Sequence, residues 1–180
     1  MVAVLMAEHG AIGAPSDWII GTLDAHATAV TDAIDLACGS GRHALWLATL
    51  GWQVTAVDRN SDLAGALQAA GVRFQCLDLE GPEWPLQDAQ ADLVVVSNYL
   101  YRPRLAEIGA LVRPGGLLIY ETFGIGNAAY GKPSNPDFLL APGELTAVFA
   151  SGFETLDSFD GLVSVPKPAV RGRYCGRRHG

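Results

Sequence analysis

One segment of the chain, 33–60, places two glycines between an apolar run and an amphipathic run, and this spacing constrains the fold most. It reads AIDLACGSGRHALWLATLGWQVTAVDRN. Gly39 and Gly41 follow AIDLAC, which predicts a strand, and open GRHALWLATLG, which predicts a helix ended by Gly51. A turn this tight needs residues without a Cβ, so that the backbone can adopt positive φ angles and approach a ligand closely. The segment therefore predicts a strand, a turn and a helix that together form a ligand site.

The alternation of strands and helices continues along the chain and predicts an open α/β sheet. WQVTAVD, VRFQCLD, ADLVVVSNY and GLLIYETF predict four more strands. Helices are predicted at SDLAGALQAAG, capped by Ser61, at RPRLAEIGALVRPGG, ended by Pro114 and Gly115, and at GELTAVFAS. FETLDSFDG and AVRGRYCGRR predict two final strands in an antiparallel hairpin. Because helices between strands imply parallel strands joined by right-handed crossovers, we expect a doubly wound, Rossmann-like, mostly parallel sheet in a three-layer αβα sandwich.

Length and composition favour one domain, 1–180. A chain of 180 residues, 49% of them hydrophobic, can form one continuous core. PSDWIIGTLDAHA predicts a helix capped by Ser16 within an N-terminal helical segment, 1–30. The stretch 124–143 is rich in Gly, Pro and Asn and longer than an ordinary connection, so it predicts a lid-like loop.

Charge and cysteine content narrow the possible partners. The formal net charge of −7 opposes binding to phosphate backbones, which disfavours nucleic acid. The three cysteines are widely spaced and indicate neither a disulfide framework nor a metal site, which fits a reducing cytoplasm. No basic n-region opens the chain and no apolar run approaches the ~20 residues that cross a bilayer, so we expect no membrane segment. The low charged fraction of 17% makes a homodimer possible. A basic C-terminal tail is interpreted as a solvated edge or frayed end; its residues are Arg171, Arg173, Arg177 and Arg178.

Carboxylates at three successive strand ends indicate which ligand the glycine turn holds. Asp58 ends the second strand, where it can accept hydrogen bonds from the two ribose hydroxyls of either NAD or S-adenosylmethionine. Asp35, four positions before Gly39, would repel the pyrophosphate of a dinucleotide but suits a ligand with an ammonium and a sulfonium. Asp78, at the end of the third strand, can accept from the adenine amine, with Leu79 against the base. These charges favour S-adenosylmethionine over NAD.

From about Ala33 to Phe123 the chain resembles the class I S-adenosylmethionine-dependent methyltransferases. DLACGSG resembles the nucleotide loop of that family, AVD its ribose strand, LDLEG its adenine turn and LVRPGGLLIYETF its fifth-strand segment. The wider run from SNYLYRP to APGEL is similar to small bacterial methyltransferases related to the tellurite-resistance type. The resemblance implies a seven-stranded sheet with an antiparallel final strand.

The resemblance also extends the set of predicted cofactor-binding residues. The family often has Gly where this chain has Ala37, and it implies that Asn98 lines the methyl end of the pocket. His43, at the first turn of the helix, is either a packing residue or a residue at the edge of the ligand. The complete predicted set is Asp35, Ala37, Gly39, Gly41, Arg42, His43, Asp58, Arg59, Asp78, Leu79 and Asn98.

Candidates for the acceptor side follow the fourth and fifth strands. SNYLYRP lacks the two prolines of the N-P-P-Y signature of amide and nucleobase N-methyltransferases, which disfavours an amino-group acceptor. Glu121 lies in an apolar run and, if buried, needs a partner or a raised pKa; with Tyr101 it is a candidate catalytic residue, and loop ordering is its alternative role. Arg102 opens a helix, where the dipole disfavours cations, so it is a candidate for binding an anionic substrate. The predicted substrate-binding residues are Tyr99, Arg102, Phe123, Asn127 and Tyr130.

The sequence thus predicts an S-adenosylmethionine-dependent methyltransferase that acts on a small molecule, which the sequence does not name. A non-catalytic adenosylmethionine-binding module is one alternative; it would keep Asp35 and Asp58 but have a blocked methyl-end cavity. An NAD-dependent oxidoreductase is the other, and it would need a Tyr-x-x-x-Lys or a His-based proton relay after the fourth strand. Neither pattern occurs there.

Overall fold

The computed structural model describes residues 12–27 and 29–180, so the predicted N-terminal segment 1–30 lies partly outside the described residues. Seven strands form one mixed, mostly parallel sheet of the Rossmann-like α/β type, as predicted. The chain divides into two compact units, 1–85 and 86–180. A single functional domain therefore stays a prediction. No helix within the described ranges is long and apolar enough to cross a membrane.

The first unit alternates helices and parallel strands. Its strand order is β3-β2-β1, and both strand pairs are parallel, so the carboxyl ends of the three strands lie at one edge. Each connection between these strands contains a helix, as is usual for parallel strands. The elements are α1 (Asp17–His26), β1 (Asp32–Leu36), α2 (Arg42–Thr49), β2 (Gln53–Asp58), α3 (Ala64–Ala69) and β3 (Arg73–Cys76).

The second unit ends in the predicted antiparallel hairpin. Its strand order is β4-β5-β7-β6; β4 and β5 are parallel, and β7 is antiparallel to both of its neighbours. The loop 124–143 contains two short 3₁₀ turns. The elements are β4 (Ala91–Ser97), a 3₁₀ turn (Arg102–Arg104), α4 (Leu105–Ala110), β5 (Val112–Phe123), 3₁₀ turns (Asn127–Ala129 and Pro136–Phe138), α5 (Glu144–Phe149), β6 (Phe153–Val163) and β7 (Ala169–Arg178).

Two predicted helix boundaries were wrong. The helix in RPRLAEIGALVRPGG ends at Ala110, and Pro114 and Gly115 lie within β5 instead of ending the helix. The register of β4 against β5 shifts there: Ala91 pairs with Val112, and Leu93 pairs with Leu117. Ser61 does not occupy the N-cap position, which belongs to Leu63; the Ser61 carbonyl accepts from Ala64 N–H at 3.0 Å in a turn that precedes α3.

The basic C-terminal residues lie in an inner strand, which corrects the prediction of a solvated or frayed end. Strand β7 lies between β5 and β6, so each arginine has neighbours on both sides. Arg177 donates to the Gly115 carbonyl at 3.1 Å, and Arg178 donates to the Ala110 carbonyl at 3.0 Å. The clustering of arginines in the sequence could not indicate these contacts, because the partner carbonyls are more than sixty positions away.

Candidate active site

The glycine turn after β1 depends on backbone conformations that favour glycine. Gly39 and Gly41 have φ angles of 53° and 71°, and Ala37 has a φ of 53° although it carries a Cβ. A side chain at Gly41 would also bring its Cβ to 2.6 Å from Cδ2 of Leu67. A Cβ added at Gly39 would meet no heavy atom within 4 Å among the described residues. Gly41 is thus required by packing and backbone angle, whereas Gly39 leaves open space beside the turn.

Asp58 fixes the turn to the end of β2. Its Oδ2 accepts from Gly39 N–H at 2.8 Å, and its Oδ1 accepts from Asn60 N–H at 2.9 Å. A carboxylate offers about four lone-pair sites, so these two bonds leave capacity for further donors. The predicted ribose contact is compatible with this geometry, but Asp58 also has a structural role that the sequence did not reveal.

Asp35 is buried at the end of β1, with 1% of its surface exposed. Its Oδ2 accepts from Ala44 N–H at 2.9 Å, in the first turn of α2. Its Oδ1 has no hydrogen-bond partner in the part of the chain that the structure describes. Burial raises the pKa of Asp35 to about 7, despite the opposing effects of the Ala44 bond and of the Arg42 charge. Carboxylates are rarely left half-satisfied in a protein interior, which marks this oxygen as a place for a donor.

His43 and Arg42 hold the segment that precedes α1. His43 is 2% exposed and its Nε2 accepts from Ser16 N–H at 3.1 Å, while Arg42 donates to the Ala14 carbonyl at 3.3 Å. Burial, with a smaller effect of the Arg42 charge, lowers the pKa of His43 to about 3, so the ring is neutral. The geometry favours the packing role for His43 over the ligand-edge role.

The predicted adenine-side residues lie beyond β3. Asp78 is exposed and its Oδ1 accepts from Glu80 N–H at 2.9 Å, which closes a small turn. Leu79 is buried, with 5% exposure, and Arg59 is exposed. Asp78 lies two residues past the end of β3 and belongs to this turn rather than to the strand.

In the second unit, Asn98, Phe123 and Arg171 lie together. Asn98 follows β4 with a φ of 57°, and its N–H donates to the Glu121 carbonyl at 2.8 Å. Its Oδ1 accepts from Arg171 Nη1, and the Arg171 guanidinium lies 3.9 Å from the centre of the Phe123 ring. Sequence reasoning missed Arg171, because only the antiparallel pairing of β7 with β5 brings it opposite Phe123.

Glu121 has the partner that its predicted burial demanded. It is 3% exposed, and its Oε2 accepts from Arg173 Nε at 2.7 Å. Arg173 is directly opposite Glu121 in the pairing of β5 with β7, and it also lies 5.7 Å from the Phe159 ring. Arg173 was not predicted as a site residue, since its pairing depends on a register that the sequence pattern did not give.

Arg102 holds the loop that follows β5. Its Nε and Nη2 donate to the two carboxylate oxygens of Glu144, at 2.6 and 2.9 Å. Its Nη1 donates to the Asp137 carbonyl at 2.7 Å, and Nη2 donates to the Leu139 carbonyl at 2.8 Å. Glu144 also accepts from Ala141 N–H at 2.8 Å, and Arg102 lowers the pKa of this carboxyl group. These contacts give Arg102 a loop-ordering role, and they do not support its assignment to an anionic substrate.

Asn127 orders the same loop. It is 1% exposed; its Nδ2 donates to the Pro133 carbonyl at 3.0 Å and its Oδ1 accepts from Val170 N–H at 3.1 Å. Both ends of its amide therefore bind the chain rather than pointing to solvent. Tyr130, by contrast, is 48% exposed.

The two tyrosines after β4 are partly buried. The Tyr99 carbonyl accepts from the Tyr120 hydroxyl at 2.8 Å. Tyr101 precedes the 3₁₀ turn, and its carbonyl accepts from Arg104 N–H at 3.0 Å. These backbone contacts fix the path of the chain at the carboxyl end of β4.

Comparison with known families agrees with the resemblance noted in the sequence. Residues 33–116, which include the glycine turn, Asp58 and Asp78, match a family model described as a methyltransferase domain. Over this part of the sequence, which is a little less than half of the chain, the protein is similar to methyltransferase domains. No curated protein sequence matches the chain.

Several solved structures also have a fold similar to that of this chain. TehB from Haemophilus influenzae has a TM-score of 0.74 at 17% identity; the match covers 91% of this chain and 62% of TehB. The glycopeptide N-methyltransferase MtfA, in complex with S-adenosylhomocysteine, has a TM-score of 0.65 at 17% identity and covers 98% and 96% of the two chains. A Burkholderia thailandensis 1,6-didemethyltoxoflavin-N1-methyltransferase, with its substrate and S-adenosylhomocysteine bound, has a TM-score of 0.65 at 21% identity and covers 89% and 76%. At these identities the likeness shows the fold.

Proposed function

We propose that the protein transfers the methyl group of S-adenosylmethionine to a small-molecule acceptor. The observation that carries this proposal is Asp35, a buried carboxylate beside an open glycine turn whose Oδ1 has no partner within the described ranges. An ammonium group would satisfy this oxygen, whereas the pyrophosphate of a dinucleotide would be repelled by it. The methyltransferase domain match and the adenosylhomocysteine bound to similar structures support the same cofactor.

The first unit supplies the groups that would bind the cofactor. Asp35 would hold the ammonium of the methionine part, next to the backbone of Gly39 and Gly41. Asp58 would accept from the ribose hydroxyls with the lone pairs that its backbone bonds leave, and Asp78 with Leu79 would hold the adenine. The remaining predicted cofactor residues of this unit are Ala37, Arg42, His43 and Arg59; Asn98, which was also predicted, belongs to the second unit.

Methyl transfer does not require a nucleophilic residue of the protein. The sulfonium of the cofactor already activates the methyl carbon, so the protein needs mainly to place the acceptor lone pair about 3–3.5 Å from it, in line with the breaking bond. A general base is required only for an acceptor that arrives protonated. Tyr101 remains our candidate for contact with the reacting groups. We assign Glu121 to holding Arg173, because Arg173 already binds its Oε2 and burial closes the carboxylate to solvent.

Acceptor contacts are proposed for Tyr99, Phe123 and Tyr130, to which the contacts around Phe123 add Arg171. The acceptor is proposed to be a small molecule, as for the Burkholderia enzyme whose substrate is named in its structure. The three cysteines are free thiols, which supports a reducing cytoplasmic location. The proposal also includes a homodimer and action as a single domain.

Ligand-induced thermal stabilisation tests the cofactor. S-adenosylhomocysteine should raise the melting temperature and NADH should not, because a ligand stabilises the native state according to its affinity for it. Asp58→Ala should abolish the shift, and Asp62→Ala, at an exposed position four residues further on, should keep it. A larger shift with NADH would refute the proposal. Transfer of a labelled methyl group to any acceptor would then exclude the non-catalytic binding module.

A further inference from the structure

The surroundings of Asp35 closely balance its ionised and its neutral form. One oxygen, Oδ2, receives a backbone hydrogen bond from Ala44, and the other, Oδ1, lacks a partner in the described part of the chain. The side chain is enclosed, with 1% exposure, so water gives little compensation. An ionised carboxylate in this position is disfavoured by desolvation and is stabilised chiefly by a single backbone donor.

The charged and titratable groups near Asp35 lie on α2, on β2 and in the glycine turn. Arg42, at the start of α2, favours the ionised carboxylate, while Asp58, at the end of β2, disfavours it. Cys38, in the turn, stays a thiol because burial raises its pKa. His43 stays neutral, since burial lowers its pKa to about 3. The net result is a pKa for Asp35 of about 7, so both forms are populated near neutral pH.

We propose that S-adenosylmethionine-type ligands bind with loss of a proton from Asp35, so that acidification weakens the binding of the cofactor. The proposal rests on the proposed function. The ligand ammonium supplies Oδ1 with the donor that it lacks among the described residues, and its positive charge favours the carboxylate. The proton of the Asp35 carboxyl group passes to the buffer, and no covalent bond of the ligand changes.

The size of the effect follows from the fraction of protein that carries an ionised Asp35. If only this fraction binds, the apparent dissociation constant is the intrinsic one divided by that fraction. For a group that titrates near pH 7, the affinity should fall about 15-fold between pH 7.0 and pH 5.5, with release of about half a proton per ligand at pH 7.0. Each oxygen of Asp58 already accepts one backbone bond, so neither of them lacks a partner as Oδ1 of Asp35 does among the described residues.

Calorimetric titration of the full chain with S-adenosylhomocysteine tests the proposal. The titration is repeated at intervals from pH 5.5 to pH 7.0, and at pH 7.0 in two buffers with different ionisation heats, which counts the released protons. 5′-Methylthioadenosine serves as the matched ligand, because it keeps the adenosine and thioether but lacks the ammonium. Asp35→Asn should flatten the pH dependence, because an amide does not titrate in this range. Its oxygen can still accept from Ala44 N–H, so the local structure should be kept. Asp62→Asn should leave the pH dependence intact.

A 15-fold loss for adenosylhomocysteine together with constant affinity for methylthioadenosine supports the proposal. Affinity for adenosylhomocysteine that varies less than twofold, or an equal pH dependence for both ligands, overturns it and leaves the proposed function standing. Absence of adenosylhomocysteine binding at every pH overturns the proposed function as well. The comparison of the two ligands needs only the unaltered protein, so it decides the question independently of the Asp35→Asn variant.

Discussion

Breaking the ion pair between Glu121 and Arg173 should destabilise the protein far more than breaking an exposed pair. The two side chains are 4% and 18% exposed and meet at 2.7 Å. Glu121→Gln leaves the Arg173 charge poorly compensated in a nearly buried position, and such losses cost about 3–5 kcal/mol when the partner is fully buried. Because Arg173 keeps some contact with solvent, we expect a loss of about 2–3 kcal/mol, which corresponds to a decrease in melting temperature of about 4–12 °C for a chain of this length.

The matched control is the pair of Arg113 with Asp92, which has a similar length, 2.8 Å, but side-chain exposures of 39% and 27%. Asp92→Asn should cost less than about 1 kcal/mol, as exposed pairs usually do. In a double-mutant cycle, Glu121→Gln combined with Arg173→Gln should cost at least about 1 kcal/mol less than the sum of the single variants, because two neutral amides can pair. Urea unfolding of the unaltered protein and of the four variants measures these values. Equal losses for Glu121→Gln and Asp92→Asn, or additive effects in the cycle, would refute the reasoning.

Three further predictions concern the loop, the turn and the buried carboxylate. Arg102→Lys, which loses the forked contact with the loop after β5, should speed limited proteolysis of that loop severalfold, whereas Arg104→Lys should not; equal rates would argue against loop ordering. Gly41→Ala should cost about 1–3 kcal/mol more than Gly39→Ala in urea unfolding, because only Gly41→Ala adds a clash with Leu67 to the positive φ angle; similar costs would contradict the packing argument. Asp35→Asn should stabilise the ligand-free protein by on the order of 2–4 kcal/mol at pH 8 and by little below pH 4. The sign follows because the pKa of Asp35 in the folded state, about 7, exceeds its ordinary value of 3.8, so the stabilisation should grow as the pH rises between these values; a constant effect would contradict it.

The sequence predicted the order and type of the strands well because each apolar run is bounded by a turn signal. The glycine turn was equally accessible, since positive φ angles select glycine locally. Ala37 has a φ of 53°, in the left-handed region that favours glycine. This agrees with the frequent occurrence of Gly at this position in the methyltransferase family. Features that depend on one or two neighbouring residues can therefore be predicted from the sequence.

Contacts between residues far apart in the sequence could not be predicted. Arg173 binds Glu121 across fifty-two positions, and Arg102 binds Glu144 across forty-two. Neither pairing follows from propensity, because each requires the strand register or the path of the loop to be known. This is why Arg102 was assigned to a substrate and the basic end of the chain to solvent. Asp58 could be placed at a strand end, but its bond to Gly39 needed the three-dimensional turn.

The most direct test of the central claim is a comparison of ligands on the unaltered protein by thermal shift. Saturating S-adenosylhomocysteine should raise the melting temperature by several degrees, and NADH at the same concentration should leave it unchanged. Stabilisation by NADH without stabilisation by adenosylhomocysteine would contradict the assignment of the glycine turn and Asp35 to the cofactor of a methyltransferase.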